Sequence, residues 1–173
     1  LTNNRSAIVA KINALQPSGN THIPLGLAWG WRVLSPTAPF TEGSAYNDEM
    51  TNKALVLMTD GVNTVSSYQS STLKSTYSAY GYAYKARLGT TNPTTIVSRM
   101  NDQVAALCTA MKAPDVNIRI YTILLEENDT TVRNLLRDCA TTPSLFFDNV
   151  SAAQLQTVFR VIAADLSNLR VSQ

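Results

Sequence analysis

Histidine and cysteine are scarce in this chain of 173 residues, which has one histidine, His22, and two cysteines, Cys108 and Cys139. One histidine cannot build a multi-histidine metal site. Two cysteines are too few for a zinc ribbon, and they lack the Cys-x-x-Cys spacing of such sites. They leave two readings, a single disulfide or two buried thiols acting as small apolar side chains. A disulfide would close a loop of about 30 residues and contribute about 3–4 kcal/mol by constraining the unfolded chain. Charge is sparse too, at 15% of residues, with 14 cations against 12 anions. A net charge of +2 with scattered cations excludes the basic footprint of a nucleic-acid or anionic-membrane binder. No apolar run approaches the roughly 20 residues that cross a bilayer. The opening Leu1-Thr2-Asn3-Asn4 has neither an initiating methionine nor a basic-then-apolar leader, so any targeting signal or anchor is expected upstream.

What is present is an ordinary globular composition. Apolar residues make up 45% of the chain, which excludes disorder as a description of the whole. Its length suits one domain with a core of its own, and with no repeat or linker in sight residues 1–173 are read as a single domain.

Helical spacing over 6–15 (Ile8, Ile12, Leu15) stops at Pro17-Ser18-Gly19,. A second helix is expected to start at Thr21-His22-Ile23-Pro24, with Pro24 near its first turn and Leu27, Trp31 and Leu34 on one face, ended by Ser35-Pro36,. Residues 37–52 read as a loop. The continuous run Ala54-Leu55-Val56-Leu57-Met58 predicts a parallel strand buried on both faces. Residues 62–95 show no clean period and hold Tyr68, Tyr77, Tyr80, Tyr82 and Tyr84, five of the seven tyrosines. A loop of that length is often functional. A helix over 96–112, a strand over 118–125, a short helix capped by Asp129, a strand over 144–147 and a last helix through 166 follow. That last helix is expected to turn Leu155, Val158, Phe159, Ile162 and Leu166 inward. Strands alternating with helices predict an α/β fold, mainly a parallel sheet with helices on both faces.

In such sheets ligands bind outside the carboxyl ends of the strands. Asp60, followed by Gly61, sits at such an end and can reach a hard cation or a phosphoryl group. Thr21, just before a helix, adds a hydroxyl beside the backbone N–H groups of a helix start. Each has a plainer role open to it, a turn for Asp60-Gly61 and an N-cap for Thr21.

Taken together, Gly19-Asn20-Thr21 and Met58-Thr59-Asp60-Gly61 resemble two elements of the von Willebrand factor A domain. That family binds Mg²⁺ through an Asp-x-Ser-x-Ser loop, a threonine at a helix start and the aspartate of a Thr-Asp-Gly turn. A longer series narrows the resemblance: Ile23-Pro24, Gly26-Leu27, Trp29-Gly30-Trp31-Arg32, Leu34-Ser35-Pro36, Pro39-Phe40, Asp60-Gly61-x-Asn63-Thr64, Leu107-Cys108, Leu135-Leu136-x-x-Cys139-Ala140 and Leu169-Arg170. In this order, over nearly the whole chain, it is similar to the C-terminal part of TadG-like proteins of the bacterial tight-adherence (Flp) pilus machinery. The resemblance implies a partial A-type (Rossmann-like) domain, held outside the cytoplasm, periplasmic or at the cell surface, by an upstream membrane anchor. It implies a non-catalytic module that binds protein partners of the pilus or secretion machinery in adhesion or pilus biogenesis. It also implies a disulfide between Cys108 and Cys139, with Thr21 and Asp60 as metal ligands.

The chain departs from the family in lacking an Asp-x-Ser-x-Ser loop after a strand; Asp165-x-Ser167 lies in the last helix and has no second serine. The first strands and first ligands are therefore expected upstream of Leu1, and Mg²⁺ is expected to bind this chain weakly or not at all. His22, where relatives often carry asparagine, is expected to face solvent or cap its helix. The tyrosine-rich stretch should overhang the metal-site face as a partner-binding surface or cover the sheet edge. Trp29 and Trp31 lie on different sides of their helix, one in the core and the other under Pro39-Phe40. The alternative is a phosphatase of the haloacid-dehalogenase type with Asp60 as nucleophile and Thr64 in place, although Val62 stands where the acid/base carboxylate belongs. Finally, the strand over 54–58 would be central in the complete fold. With its neighbour missing, its bare edge should be covered by a second copy as a homo-dimer, by 62–95 or by 37–52.

Overall fold

In the computed structural model, residues 2–65 and 75–171 are described. The elements in order are α1 (Arg5–Asn13), α2 (Ile23–Leu34), β1 (Ala54–Thr59), β2 (Tyr77–Ser78), β3 (Gly81–Tyr82), α3 (Pro93–Lys112), β4 (Arg119–Leu125), α4 (Thr130–Cys139), β5 (Phe146–Val150) and α5 (Leu155–Val171). Helix starts follow side-chain chemistry. Asn92 accepts from the Thr95 amide, with Pro93 following it, and Asp129 accepts from the amides of Thr131 and Val132, so donors left open at each helix start are satisfied.

The main sheet is parallel, in the order β1-β4-β5. On one face Ile23 and Leu27 of α2, Leu55 and Leu57 of β1, Val104 and Met111 of α3, Ile120 and Leu124 of β4, and Leu136 of α4 form one core. On the other, Tyr121, Ile123 and Val150 pack under Val158 and Ile162 of α5. A β-carbon on Gly30 would lie 2.7 Å from a methyl of Leu55, so α2 passes close to β1 there and Leu55 would have to shift to admit a side chain. Helices thus cover both faces, as the alternation of elements predicts, but unequally.

That inequality corrects the reading of β1. The centre of the sheet is β4, buried along its length, whereas β1 alternates buried and exposed. Val56 and Met58 are 38% and 48% exposed, because the core under α5 takes in Ala54 at the start of β1 but neither Val56 nor Met58. Among the described residues β1 pairs with β4 alone. Neither 37–52 nor the described part of 62–95 adds a strand to its open edge. Phe159, expected inward, is 45% exposed, while its neighbours Val158 and Ile162 take the core positions. Helix α1 forms, but it buries nothing; its apolar side chains meet no layer among the described residues. The tryptophans divide as expected. Trp31 packs against the core and donates through Nε1 to the Tyr46 hydroxyl at 2.9 Å, while Trp29 lies against Phe40 with ring centroids 5.8 Å apart.

A polar cluster closes the α5 face. The Asp165 carboxylate accepts from the Tyr121 hydroxyl at 2.6 Å and from Arg119 Nη2 at 2.8 Å. The Tyr121 hydrogen bond, with Arg119 beside it, holds the Asp165 carboxyl below its usual range despite some loss of hydration. A carboxylate with a depressed pKa adds stability that is present above its unfolded value and disappears as pH falls through the folded one. Asp165→Asn should therefore cost about 1 kcal/mol at neutral pH, a figure held down by its partial exposure. It should also lose stability less steeply than the wild type below about pH 4, as urea titrations at pH 7 and pH 3 will show.

Candidate functional site

The C-terminal end of β1 gathers the residues that the motifs single out. After Thr59 the chain turns through Asp60, which is exposed. The Thr59 hydroxyl donates to the Gly61 carbonyl at 2.9 Å and accepts the Gly61 amide at 3.3 Å, which tightens the turn from within. Four residues beyond Asp60, Thr64 meets Thr21. The Thr21 amide donates to the Thr64 hydroxyl, and the Thr64 amide donates to the Thr21 carbonyl, both at 3.0 Å. The structure therefore brings the Thr21 segment and the Asp60 turn to one edge, outside the carboxyl end of the sheet, where parallel α/β folds place ligands.

Asn63 completes the join. Its side chain is buried, accepts from the Ile23 amide at 2.8 Å and donates to Asn101 Oδ1 of α3 at 2.8 Å. One amide thus ties the first turn of α2, the loop after β1 and α3 together. Asn63 appears within the motif that carries the resemblance, but a buried asparagine and an exposed one look alike in sequence, and its partners are distant along the chain. The signal that could have found it is position, three residues after the strand-end aspartate and facing a helix start in need of acceptors.

His22 caps α2 as expected: Nδ1 accepts from the Leu25 amide at 3.2 Å. Its ring lies against Tyr80, with centroids 4.9 Å apart, and Nε2 is buried without a partner among the described residues. Burial pushes the imidazole below its ordinary pKa. Tyr80 reaches over from the turn of the β2–β3 hairpin, its hydroxyl donates to Gln103 Oε1 of α3, and burial pushes the phenol up. His22, Tyr80 and Gln103 border a groove of about 460 Å³ between α2 and α3, with Leu25, Ala28 and Leu107 along its walls.

The five tyrosines do not act as one set. Tyr80 faces the body of the protein. Tyr77, Tyr82 and Tyr84 form an aromatic cluster on the hairpin's outer side, with centroids 4.9 Å apart for Tyr77–Tyr82 and 6.0 Å for Tyr82–Tyr84. Tyr68 lies outside the described residues. Cys108 of α3 and Cys139 of α4 are bonded to each other and both are buried.

The Mg²⁺ that the resemblance implies wants near-octahedral oxygen coordination. Thr21 and Asp60 offer one hydroxyl and one carboxylate. Among the described residues no three His, Cys, Asp or Glu side chains are grouped to hold a metal. This donor set is too small to fit the ion unaided. Among the described residues no helix is long and apolar enough to cross a membrane.

No protein-family model and no curated protein matches the chain. Among solved structures, the fold is similar to the vWF domain of the type V pili tip protein Mfa5 from Porphyromonas gingivalis. The match has a TM-score of 0.57 and 14% identity, and it covers 94% of this chain and 72% of that one. At that identity the likeness speaks to the fold alone. The chain is a mixed α/β protein, a parallel sheet flanked by helices in the manner of a von Willebrand factor A-like, Rossmann-type domain.

Proposed function

We propose that the chain is the C-terminal portion of an A-type domain from a TadG-like protein of the bacterial tight-adherence pilus system. It works outside the cytoplasm as a protein-binding and assembly module, not as a catalyst. The observation that carries this reading is the A-type fold, similar to a vWF domain from a pilus tip protein, with Asp60 and Thr21 at its ligand-facing edge. The buried Cys108–Cys139 bond supports an oxidising compartment. The open edge of β1 and the half-exposed Val56 and Met58 suit a sheet whose first strands come from upstream, along with the anchor and the missing Asp-x-Ser-x-Ser ligands. In that complete site Thr21 and Asp60 help to hold Mg²⁺, and alone they hold it weakly or not at all. Pairing with a second copy along β1 is the other way to cover the edge.

In cells producing the full-length protein, Asp60→Ala should lower attachment to surfaces while leaving the amount and export of the protein unchanged. Unchanged attachment would count against a binding role for this edge. The phosphatase alternative is disfavoured by Val62, and by Thr64, whose hydroxyl already accepts the Thr21 amide. Hydrolysis of an aryl phosphate with Mg²⁺ that disappears in Asp60→Asn would overturn the binding reading in favour of that enzyme.

A further inference from the structure

Between Asp60 and Asp102 the sequence contains no aspartate or glutamate, yet it carries Lys85 and Arg87, besides Arg99, which pairs with Asp102 on α3, and Lys74, outside the described residues. The chain as a whole has nearly as many anions as cations, so this single-signed stretch stands apart. It is also the stretch that holds the tyrosine hairpin. Tyr77 and Tyr84 are 69% and 56% exposed, and the Lys85 ammonium lies 4.8 Å from the centre of the Tyr84 ring. The Arg87 guanidinium lies against Gly81, close enough that a β-carbon there would meet it at 3.3 Å. Gly81 has a φ of +85°, so the turn depends on the absence of a side chain.

The hairpin is tied to its surroundings at several points. Tyr77 pairs with Tyr82 across the strands. The Ala83 amide donates to the Thr76 carbonyl at 2.8 Å, and the Tyr84 amide donates to the Ser75 hydroxyl at 3.1 Å. Tyr80 pins the turn to His22 and Gln103. The backbone that carries the rings is therefore tied down before any partner arrives, which lowers the entropy cost of binding. Tyrosine and arginine are the residue types that dominate binding hot spots. The rings are inclined to one another, at 69° for Tyr77–Tyr82 and 33° for Tyr82–Tyr84. Inclined rings leave notches for aliphatic side chains and do not make the flat platform on which sugar rings stack.

We infer that Tyr77, Tyr82 and Tyr84, with Lys85 and Arg87, form a docking surface for an acidic segment of a protein partner, one that mixes carboxylates with aliphatic side chains. The inference rests on the protein-binding role proposed above and names the chemistry of the partner. Carboxylates meet Lys85 and Arg87, and aliphatic side chains fill the notches between the rings.

The test uses the full chain and a short labelled peptide of alternating Glu and Leu, followed by fluorescence anisotropy, with a Lys/Leu peptide and hyaluronate as competing chemistries. The Glu/Leu peptide should bind at least about tenfold more tightly than the Lys/Leu peptide, and added salt should weaken it. Lys85→Glu with Arg87→Glu should weaken binding by about tenfold or more, and so should Tyr77→Ala with Tyr84→Ala, the scale of a hot-spot loss. Circular dichroism should show both variants folded, since the side chains they alter are mostly solvent-facing. Failure of the peptide to bind, binding unmoved by both variants, or tighter binding of hyaluronate would each overturn the inference. Because this measurement needs no pilus, a chain that binds the peptide but leaves attachment unchanged in the Asp60 experiment defeats the adhesion reading and spares the docking surface. The reverse pair of results does the opposite.

Discussion

Replacing Cys108 and Cys139 together by alanine should lower the free energy of unfolding by about 3–4 kcal/mol. The bond joins α3 to α4 across 31 positions of sequence. Cutting it releases the unfolded chain from a closed loop of that size, and the entropy regained grows with the logarithm of the loop length. Alanine keeps the site apolar, which matters because both sulfurs lie in the core shared by α3, β4 and α4. For a protein of this size the loss should lower the melting temperature by about 7–15 °C. A reductant should reproduce the loss in the wild type and leave the double variant unmoved. A melting temperature indifferent to both changes would show that the packing of α3 on α4 suffices without the bond.

The elements around that bond are the ones most legible in the sequence. The run over 118–125, the repeat through Met100, Val104 and Met111, and the Asp129 cap each follow from periodicity and local hydrogen bonding, and each appears within a few residues of its expected place. Local rules work there because α3, β4 and α4 find their packing partners within the chain. They fail at β1. Ala54-Leu55-Val56-Leu57-Met58 reads as buried on both faces, since apolar residues occupy both, but burial depends on the layer opposite. α2 covers one face, and on the other Val56 and Met58 stay about half exposed. Phe159 fails for a related reason, standing at the flank of the helix stripe, outside the core under α5. The tyrosine stretch shows no period because its strands are two residues long, too short to display one. For the candidate site, Thr21 and Asp60 are legible as motif residues at a strand end and a helix start, whereas the side chain that joins them is not.

That side chain is Asn63, and Asn63→Ala should destabilise the protein by about 2–4 kcal/mol. The substitution strips the Ile23 amide of its acceptor and Asn101 of its donor. Each polar group left unmatched in a buried place costs about 1–3 kcal/mol, and Asn101, only partly buried, falls at the lower end. The loss should also be local. The pair of hydrogen bonds between Thr21 and Thr64 remains, so α2 should stay attached while its first turn opens more often. Hydrogen exchange at the amides of Ile23 and Leu25 should therefore accelerate more than exchange in β4, whose protection tracks global unfolding. Asn63→Asp separates the two links, since a carboxylate can still accept from Ile23 but can no longer donate to Asn101. Combined with Asn101→Ala in a double-mutant cycle, Asn63→Ala should show a coupling of about 1 kcal/mol. If the two losses simply add, α3 does not sense the loop after β1. If they couple, a ligand that moves the Asp60 turn has a route through one amide side chain to α3, and through α3 to the hairpin that Gln103 anchors.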